Sequence, residues 1–234
     1  MKRFEYGHTD EVYLCDDGTV LKLFNKASFE QIIEEIKLLN NLKHLNVPRV
    51  LSEIFICRGK FALRYTKLEG KSKKSISECE LVGLAKFLRE FHSLELKSKN
   101  PKLFERDRVE EFVKKSKDIR LIKNFGLLEI EPKAKCVIHG DLFWDNIVFE
   151  KDRFAGVFDF IDSCEGDPYF ELGVVCFSYD LNHSMKKLLL ESYGLEVDLK
   201  KLDQFIKYAL IYYCACRAMV GRDYEDLIEK LERL

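Results

Sequence analysis

The run His139-Gly140-Asp141-Leu142-Phe143-Trp144-Asp145-Asn146, followed by Val157-Phe158-Asp159-Phe160, constrains this chain more than any other stretch. It sets an acid, an amide and a second acid in fixed order: Asp141, Asn146, Asp159. Moving a phosphoryl group from a nucleoside triphosphate to a hydroxyl needs such a set. One carboxylate orients the hydroxyl and takes its proton, while other oxygens hold Mg²⁺ on the phosphates. Short β-like runs flank these residues, at Val137-Ile138, Ile147–Phe149 and Ala155–Phe158. An acid inside Val157-Phe158-x-Phe160 is expensive unless it is paired or metal-bound.

At 234 residues the chain can form one large domain or two small lobes sharing a cleft, and 18 Phe supply ample core. The formal charge of −1 leaves no electrostatic footprint for nucleic acid. The Lys71-Ser72-Lys73-Lys74 cluster reads as a solvated loop, with a phosphate or acidic-partner patch as the alternative. No run approaches the ~18 apolar residues of a membrane span. Met1–Tyr6 lacks the apolar centre of a signal peptide. The eight cysteines include no C-x-x-C pair and lie mostly in apolar runs, which argues against structural zinc and fits a reducing cytoplasm.

The first sixty-odd residues read as strands with one helix. Val12–Cys15 and Thr19–Phe24 flank the turn signal Asp16-Asp17-Gly18, a hairpin pattern. Ser28 opens a helix with Gln31 completing a capping box, and Ile32, Ile36, Leu39 and Leu42 mark its apolar face. Ile54–Ile56 and Phe61–Tyr65 form a second strand pair around Arg58-Gly59-Lys60. From Ser77 the pattern is helical: Leu81, Leu84, Ala85, Leu88 and Phe91 make one stripe, and Val109, Phe112 and Val113 another. Asp167 and Pro168 read as N-cap and first residue of a further helix, with Leu188–Tyr193, Leu202–Ala218 and Asp226–Leu234 continuing. The expectation is α+β: a small β-rich lobe over residues 1–70 and a larger helical lobe over 71–234, divided near Leu68-Glu69-Gly70-Lys71.

Several motifs resemble those of the aminoglycoside phosphotransferase and choline kinase-like family, small-molecule kinases that share the two-lobed protein-kinase fold. They are His139-Gly140-Asp141-x-x-x-x-Asn146, Phe158-Asp159-Phe160 and Gly166-Asp167-Pro168-x-x-Glu171-Leu172. Upstream, Gly7–Tyr13 resembles the nucleotide-covering loop, Val20-Leu21-Lys22 the lysine strand, and Glu35–Leu39 with Val47–Val50 the following helix and loop. The resemblance implies ATP, with GTP as the alternative, together with Mg²⁺ and a small-molecule hydroxyl acceptor. Asp141 is then the base, and Asn146 and Asp159 hold the metal. Lys22 contacts the α- and β-phosphates, although a lone lysine in such a strand is more often a snorkelling edge residue. Glu35, which borders the apolar stripe, would hold the ammonium, with adjacent Glu34 as the alternative. Gly7, Tyr65 and Leu68 complete the nucleotide cleft.

His139 is expected to orient the catalytic loop, and Asp162 and Glu165 are further candidates for contact with metal or acceptor. The chain departs from protein kinases at Gly140, where they carry Arg, at Ile161 after Asp159-Phe160, and in lacking A-P-E. These departures favour a small-molecule acceptor over a protein, and retention of the whole catalytic set argues against a nucleotide-binding pseudokinase. Glu171 stands where the family has Asp, a position expected to be structural. Asp180, Asp203, Asp223 and Glu225, with Tyr212, Tyr213 and Arg217, would wall the acceptor site. Trp144 could face an amine; the alternative is that these acids are solvated and the indole packs.

Overall fold

The computed structural model describes residues 2–3, 10–102 and 104–234. Gly7, assigned above to the nucleotide loop, lies outside them. An antiparallel sheet of order β1-β2-β3-β5-β4 and one helix make the first lobe. Its strands are β1 (Lys2–Arg3), β2 (Glu11–Leu14), β3 (Val20–Leu23), β4 (Phe55–Cys57) and β5 (Lys60–Tyr65). The β2–β3 turn is fastened by Asp17, whose carboxylate accepts from the Thr19 amide at 3.0 Å and hydroxyl at 2.7 Å. Arg58 and Gly59 close β4–β5 with φ of 50° and 74°. That double left-handed conformation is the two-residue turn which suits the twist of a hairpin.

Helix α1 (Phe29–Asn41) begins on the expected capping box, in which Ser28 and Gln31 satisfy each other's amides. Its buried face carries Ile32, Glu35 and Leu39. Packed against β5, that face sets a carboxylate under the sheet where an aliphatic residue would otherwise sit.

The second lobe is helical around two small hairpins. Its helices are α2 (Glu78–Ser93), α3 (Arg106–Ser116), α4 (Ile119–Gly126), α5 (Pro168–Ser178), α6 (His183–Tyr193), α7 (Leu199–Met219) and α8 (Glu225–Glu232). Strands β6 (Cys136–Ile138) and β9 (Cys164–Gly166) pair antiparallel, as do β7 (Ile147–Glu150) and β8 (Arg153–Val157). Helix α7 runs through the centre and packs on α3, α4, α5 and α8, while α2 packs on α6 and β8. The stripe Leu81, Leu84, Ala85, Leu88 and Phe91 is buried as its spacing requires. Helix α4 and strand β9 had no clear signature: α4 is short and exposes Ile119 and Ile122, and β9 is three residues with a glutamate in the middle.

Backbone contacts tie the lobes together. The Val157 amide donates to the Asn46 carbonyl at 3.1 Å, and Lys71 bridges Phe149 in both directions at 2.9 and 3.1 Å. The Lys71–Lys74 segment is therefore tied down by backbone and polar contacts, while the Lys71 and Lys74 side chains remain exposed. Ser72 donates to the Asp145 carbonyl, Lys73 pairs with buried Glu80, and Lys74 sits over the Trp144 ring. Among the described residues no helix is long and apolar enough to cross a membrane.

The capping box gives a direct test of how α1 is held. Ser28→Ala removes the acceptor for the Gln31 amide and should cost about 1 kcal/mol. For a chain of this size that is a fall of roughly 2–4 °C in Tm, read by thermal denaturation. Ser28→Asp should retain the cap and the melting point.

Candidate functional site

Alternation along β3 decides where Lys22 points. Leu21 and Leu23 face outward with Tyr13, Cys15 and Ala62, a small cluster on the far side of the sheet. Lys22 and Phe24 therefore face inward, and the Lys22 ammonium lies 4.7 Å from the Phe24 ring centroid. Its Nζ meets Asp159 Oδ1 at 2.6 Å and Asp10 Oδ2 at 3.4 Å. Burial alone would lower the pKa of this ammonium, but the charges of Asp159, Glu35 and Asp10 outweigh it and hold the pKa above its ordinary value. Lys22 is thus a buried cation in the cleft and not a snorkelling edge residue.

Helix α1 turns Glu35 inward and leaves Glu34 on the surface beside Lys37. The expected direct pair between Lys22 and Glu35 is not formed. Glu35 Oε2 accepts from the Tyr65 hydroxyl at 2.9 Å, and Oε1 accepts from the Phe160 amide at 3.1 Å. With both oxygens committed, Glu35 acts on Lys22 through its field, while burial pushes its own pKa up. Tyr65 supports the site from beneath through that carboxylate. Leu68 lies in the connecting segment after β5, with its side chain over Gly156.

The catalytic loop leaves β6 at His139. The Asp141 amide donates to His139 Nδ1 at 3.2 Å, and His139 Nε2 lies 2.9 Å from the Phe158 carbonyl. One nitrogen accepts and the other must donate, so the imidazole is the neutral Nε2–H tautomer. It joins the loop of Asp141 to that of Asp159. Asn146 Nδ2 donates to the Asp141 carbonyl at 2.8 Å, which directs the carboxamide oxygen away from the loop. Asp159 has φ +68°. That left-handed turn leaves Phe160 in the core, edge-on to Phe91 and against His139, while the Asp159 carboxylate reaches the cleft. Burial would raise the Asp159 pKa, but the Lys22 ammonium overcomes this and keeps it below the ordinary range. Asp141 goes the other way: burial, then the charges of Asp162, Asp159 and Asp145, hold its pKa well above that range.

Behind the loop lies a polar network that the sequence did not disclose. Glu171, buried on α5, accepts from the Gly140 amide at 3.0 Å and contacts His92 Nε2 at 2.8 Å. His92 Nδ1 lies 2.9 Å from the Tyr193 hydroxyl, so α2, α5 and α6 meet under one glycine. Tyr213 on α7 donates to the Gly140 carbonyl at 2.7 Å, and Ser163 to the His139 carbonyl at 3.2 Å. The available signal was His92 itself, a titratable residue beside Phe91 in an apolar stripe, where a partner is obligatory. Asp10 was also passed over, because it lies within Gly7–Tyr13, a segment assigned as a whole to the nucleotide-covering loop and strand. Asp167 caps α5 as expected, accepting from the Tyr169 amide at 3.0 Å.

In the expected acceptor wall Tyr213 and Arg217 stand near Asp141, while three of the four acids are ion-paired. Asp180 binds Lys230, Asp203 binds Lys186, Glu225 binds Arg120, and Arg217 binds Asp226. Glu165 pairs with Lys102 at 3.0 Å. These carboxylates are neutralised within the chain, and Trp144 takes Lys74 as its cation. Around Asp141 stand Asp145, Asp159 and Asp162; Asp159 is paired to Lys22, and Arg217 supplies an opposing positive charge.

As to a metal, the two candidate ligands are a carboxylate and a carboxamide oxygen. Hard oxygen donors in that small number suit Mg²⁺, which keeps waters and takes phosphate oxygens for the rest of its octahedron. The anchoring of Asn146 through Nδ2 presents the right atom, so the residues fit the ion.

Residues 1–205 match the model of the phosphotransferase enzyme family. A homoserine kinase of Bartonella henselae is 38% identical over 95 residues, which is 38% of this chain and 30% of that protein. The aligned segment thus spans under a third of the curated relative's length. Among solved structures, a GDP and kanamycin complex of an APH(2") enzyme superposes with a TM-score of 0.78 at 18% identity, covering 99% of this chain and 91% of the other. A choline/ethanolamine kinase family protein from Mesorhizobium loti gives 0.71 at 14% identity, covering 99% and 85%. The two-lobed α+β fold expected from the sequence is the fold these proteins share.

Gly140 explains the absence of the arginine found at this place in protein kinases. Its φ is +87°, and a Cβ would stand 2.4 Å from the Asp162 carbonyl oxygen. Gly140→Ala must move that backbone and should cost on the order of 1–3 kcal/mol. The measurement is a Tm several degrees below that of the unaltered chain; an unchanged Tm would mean the loop has room to spare.

Proposed function

The chain belongs to the phosphotransferase enzyme family, and from that premise we propose that it moves the terminal phosphate of ATP or GTP to a hydroxyl of a small molecule. The observation that carries this reading is the meeting of Lys22 with Asp159 at 2.6 Å, beside Asn146 locked to the Asp141 backbone at 2.8 Å. Phosphoryl transfer needs positioning and charge more than covalent chemistry, and this cluster supplies both.

In this reading the Lys22 ammonium binds the α- and β-phosphates. Asp141 faces the acceptor, orients its hydroxyl and takes the proton as the oxygen attacks. A raised pKa makes Asp141 a better base than an ordinary carboxylate. Asn146 and Asp159 would hold Mg²⁺, whose contribution is to neutralise charge developing on the phosphates. His139 keeps the two loops in register through its neutral ring. Residues up to about 70 would form the nucleotide-binding lobe and the remainder the catalytic lobe.

For the acceptor we favour an amino alcohol or amino sugar. Asp145 and Asp162 lie near Asp141, and carboxylates there would suit an ammonium group through charge pairing. Homoserine and kanamycin, the small molecules named for one relative and one structural neighbour, each combine a hydroxyl with an amine. The eight free thiols fit a reducing compartment.

Release of ADP from Mg-ATP over a panel of amino acids, amino alcohols and amino sugars tests the proposal; no turnover on any acceptor, with ATP still bound, would favour a binding module. Asp141→Ala should lower transfer by about 10²–10⁴-fold, the usual worth of a positioned base, while nucleotide affinity stays within a few-fold. Loss of both together would assign Asp141 to the metal or to folding. Asp159→Ala should weaken ATP binding in Mg²⁺ far more than in EDTA, and an unchanged dependence on the metal would remove it from the ligand set.

A further inference from the structure

We propose that Asp10 is the positioning residue for Lys22, taking the direct ion-pair role that sequence reasoning gave to Glu35. The assignment rests on the phosphotransferase reading above. It starts from the sheet register. Val12 lies opposite Lys22 and Glu11 opposite Leu23, so Asp10 falls on the same inward face as Val12, Lys22 and Phe24. Its side chain is as buried as that of the lysine, each 7% exposed. Asp10 Oδ1 accepts from the Asn25 amide at 2.9 Å, which fixes the carboxylate to the chain just beyond β3. The other oxygen, Oδ2, is 3.4 Å from the ammonium.

Three carboxylates surround this one cation, and they are not equivalent. Glu35 has given its oxygens to Tyr65 and the Phe160 amide. Asp159 makes the shortest contact, but in the proposed reaction its carboxylate also serves Mg²⁺, and a carboxylate shared with a divalent cation holds a lysine less well. Asp10 has no such second duty. It sits on the sheet lobe with Lys22, so the pair moves as one body whatever the catalytic loops do. Anchored through Oδ1, it can keep the ammonium aimed at the phosphates while Asp159 turns to the metal.

The test is a binding cycle by calorimetry on the full chain with Mg-ATP and with adenosine, for the unaltered protein, D10N, K22M and the double variant. D10N removes the charge and leaves an oxygen for the Asn25 amide; Asp10→Ser does the same with a hydroxyl should D10N melt early. D10N should weaken Mg-ATP about 10-fold, leave adenosine unchanged, and add nothing in the K22M background, because coupled residues are not additive. Additive losses, equal loss for adenosine, or unchanged or tighter Mg-ATP binding by D10N with K22M weakened would each overturn the role of Asp10 alone. Failure of the unaltered chain to bind Mg-ATP would overturn the phosphotransferase reading and this assignment with it.

Discussion

The contact between buried Lys22 and partly exposed Asp159 joins residues 137 positions apart across the two lobes. Taking the Lys22 ammonium out of water costs several kcal/mol, and the attraction of Asp159, Glu35 and Asp10 recovers this only when the geometry is good. A hydrophobic pair of equal size would stabilise the chain at least as well. The charges are therefore poorly explained by stability. They are explained by what they prepare: an ammonium and a carboxylate held in a cleft, each with its ionised form enforced by the other.

That preparation needs a rigid support, and the helical lobe provides it through backbone atoms. Gly140 is gripped on both sides, its amide by Glu171 and its carbonyl by Tyr213. Glu171 is itself held by His92, and His92 by Tyr193. Each buried polar group in this series has its partner, which is the condition under which such networks rigidify a structure. His139 then carries the same rigidity forward to the Asp159 loop.

Much of this was legible in the chain. The hairpins, the capping box at Ser28, the α2 stripe and the Asp167-Pro168 helix start were readable because each depends on residues within a few positions of one another. The inward turn of Glu35 followed from helix periodicity alone. What periodicity could not supply was its partner. Whether Glu35 meets Lys22, or spends its oxygens on Tyr65 and Phe160, depends on packing between residues as far as 125 positions apart. Asp10 and His92 were missed for the same reason. At Lys71–Lys74 composition conveyed the exposure of two lysines but not the contacts that all four residues make with Phe149, Asp145, Glu80 and Trp144.

Asp180, Asp203 and Glu225 looked in sequence like part of a recognition surface, yet each pairs with a lysine or arginine from another element. Such surface pairs contribute little energy, commonly under ~1 kcal/mol, but they cancel the field that a distant ammonium would feel. The carboxylates nearest the proposed base are instead Asp145, Asp159 and Asp162, on the catalytic and metal loops. In the proposed reaction, selection of a cationic acceptor then falls to the same carboxylates that tune the base. An acceptor amine bound beside Asp162 would partly cancel the charge that raises the Asp141 pKa. Recognition and base strength are coupled here by proximity, and a substitution that improves one is expected to disturb the other.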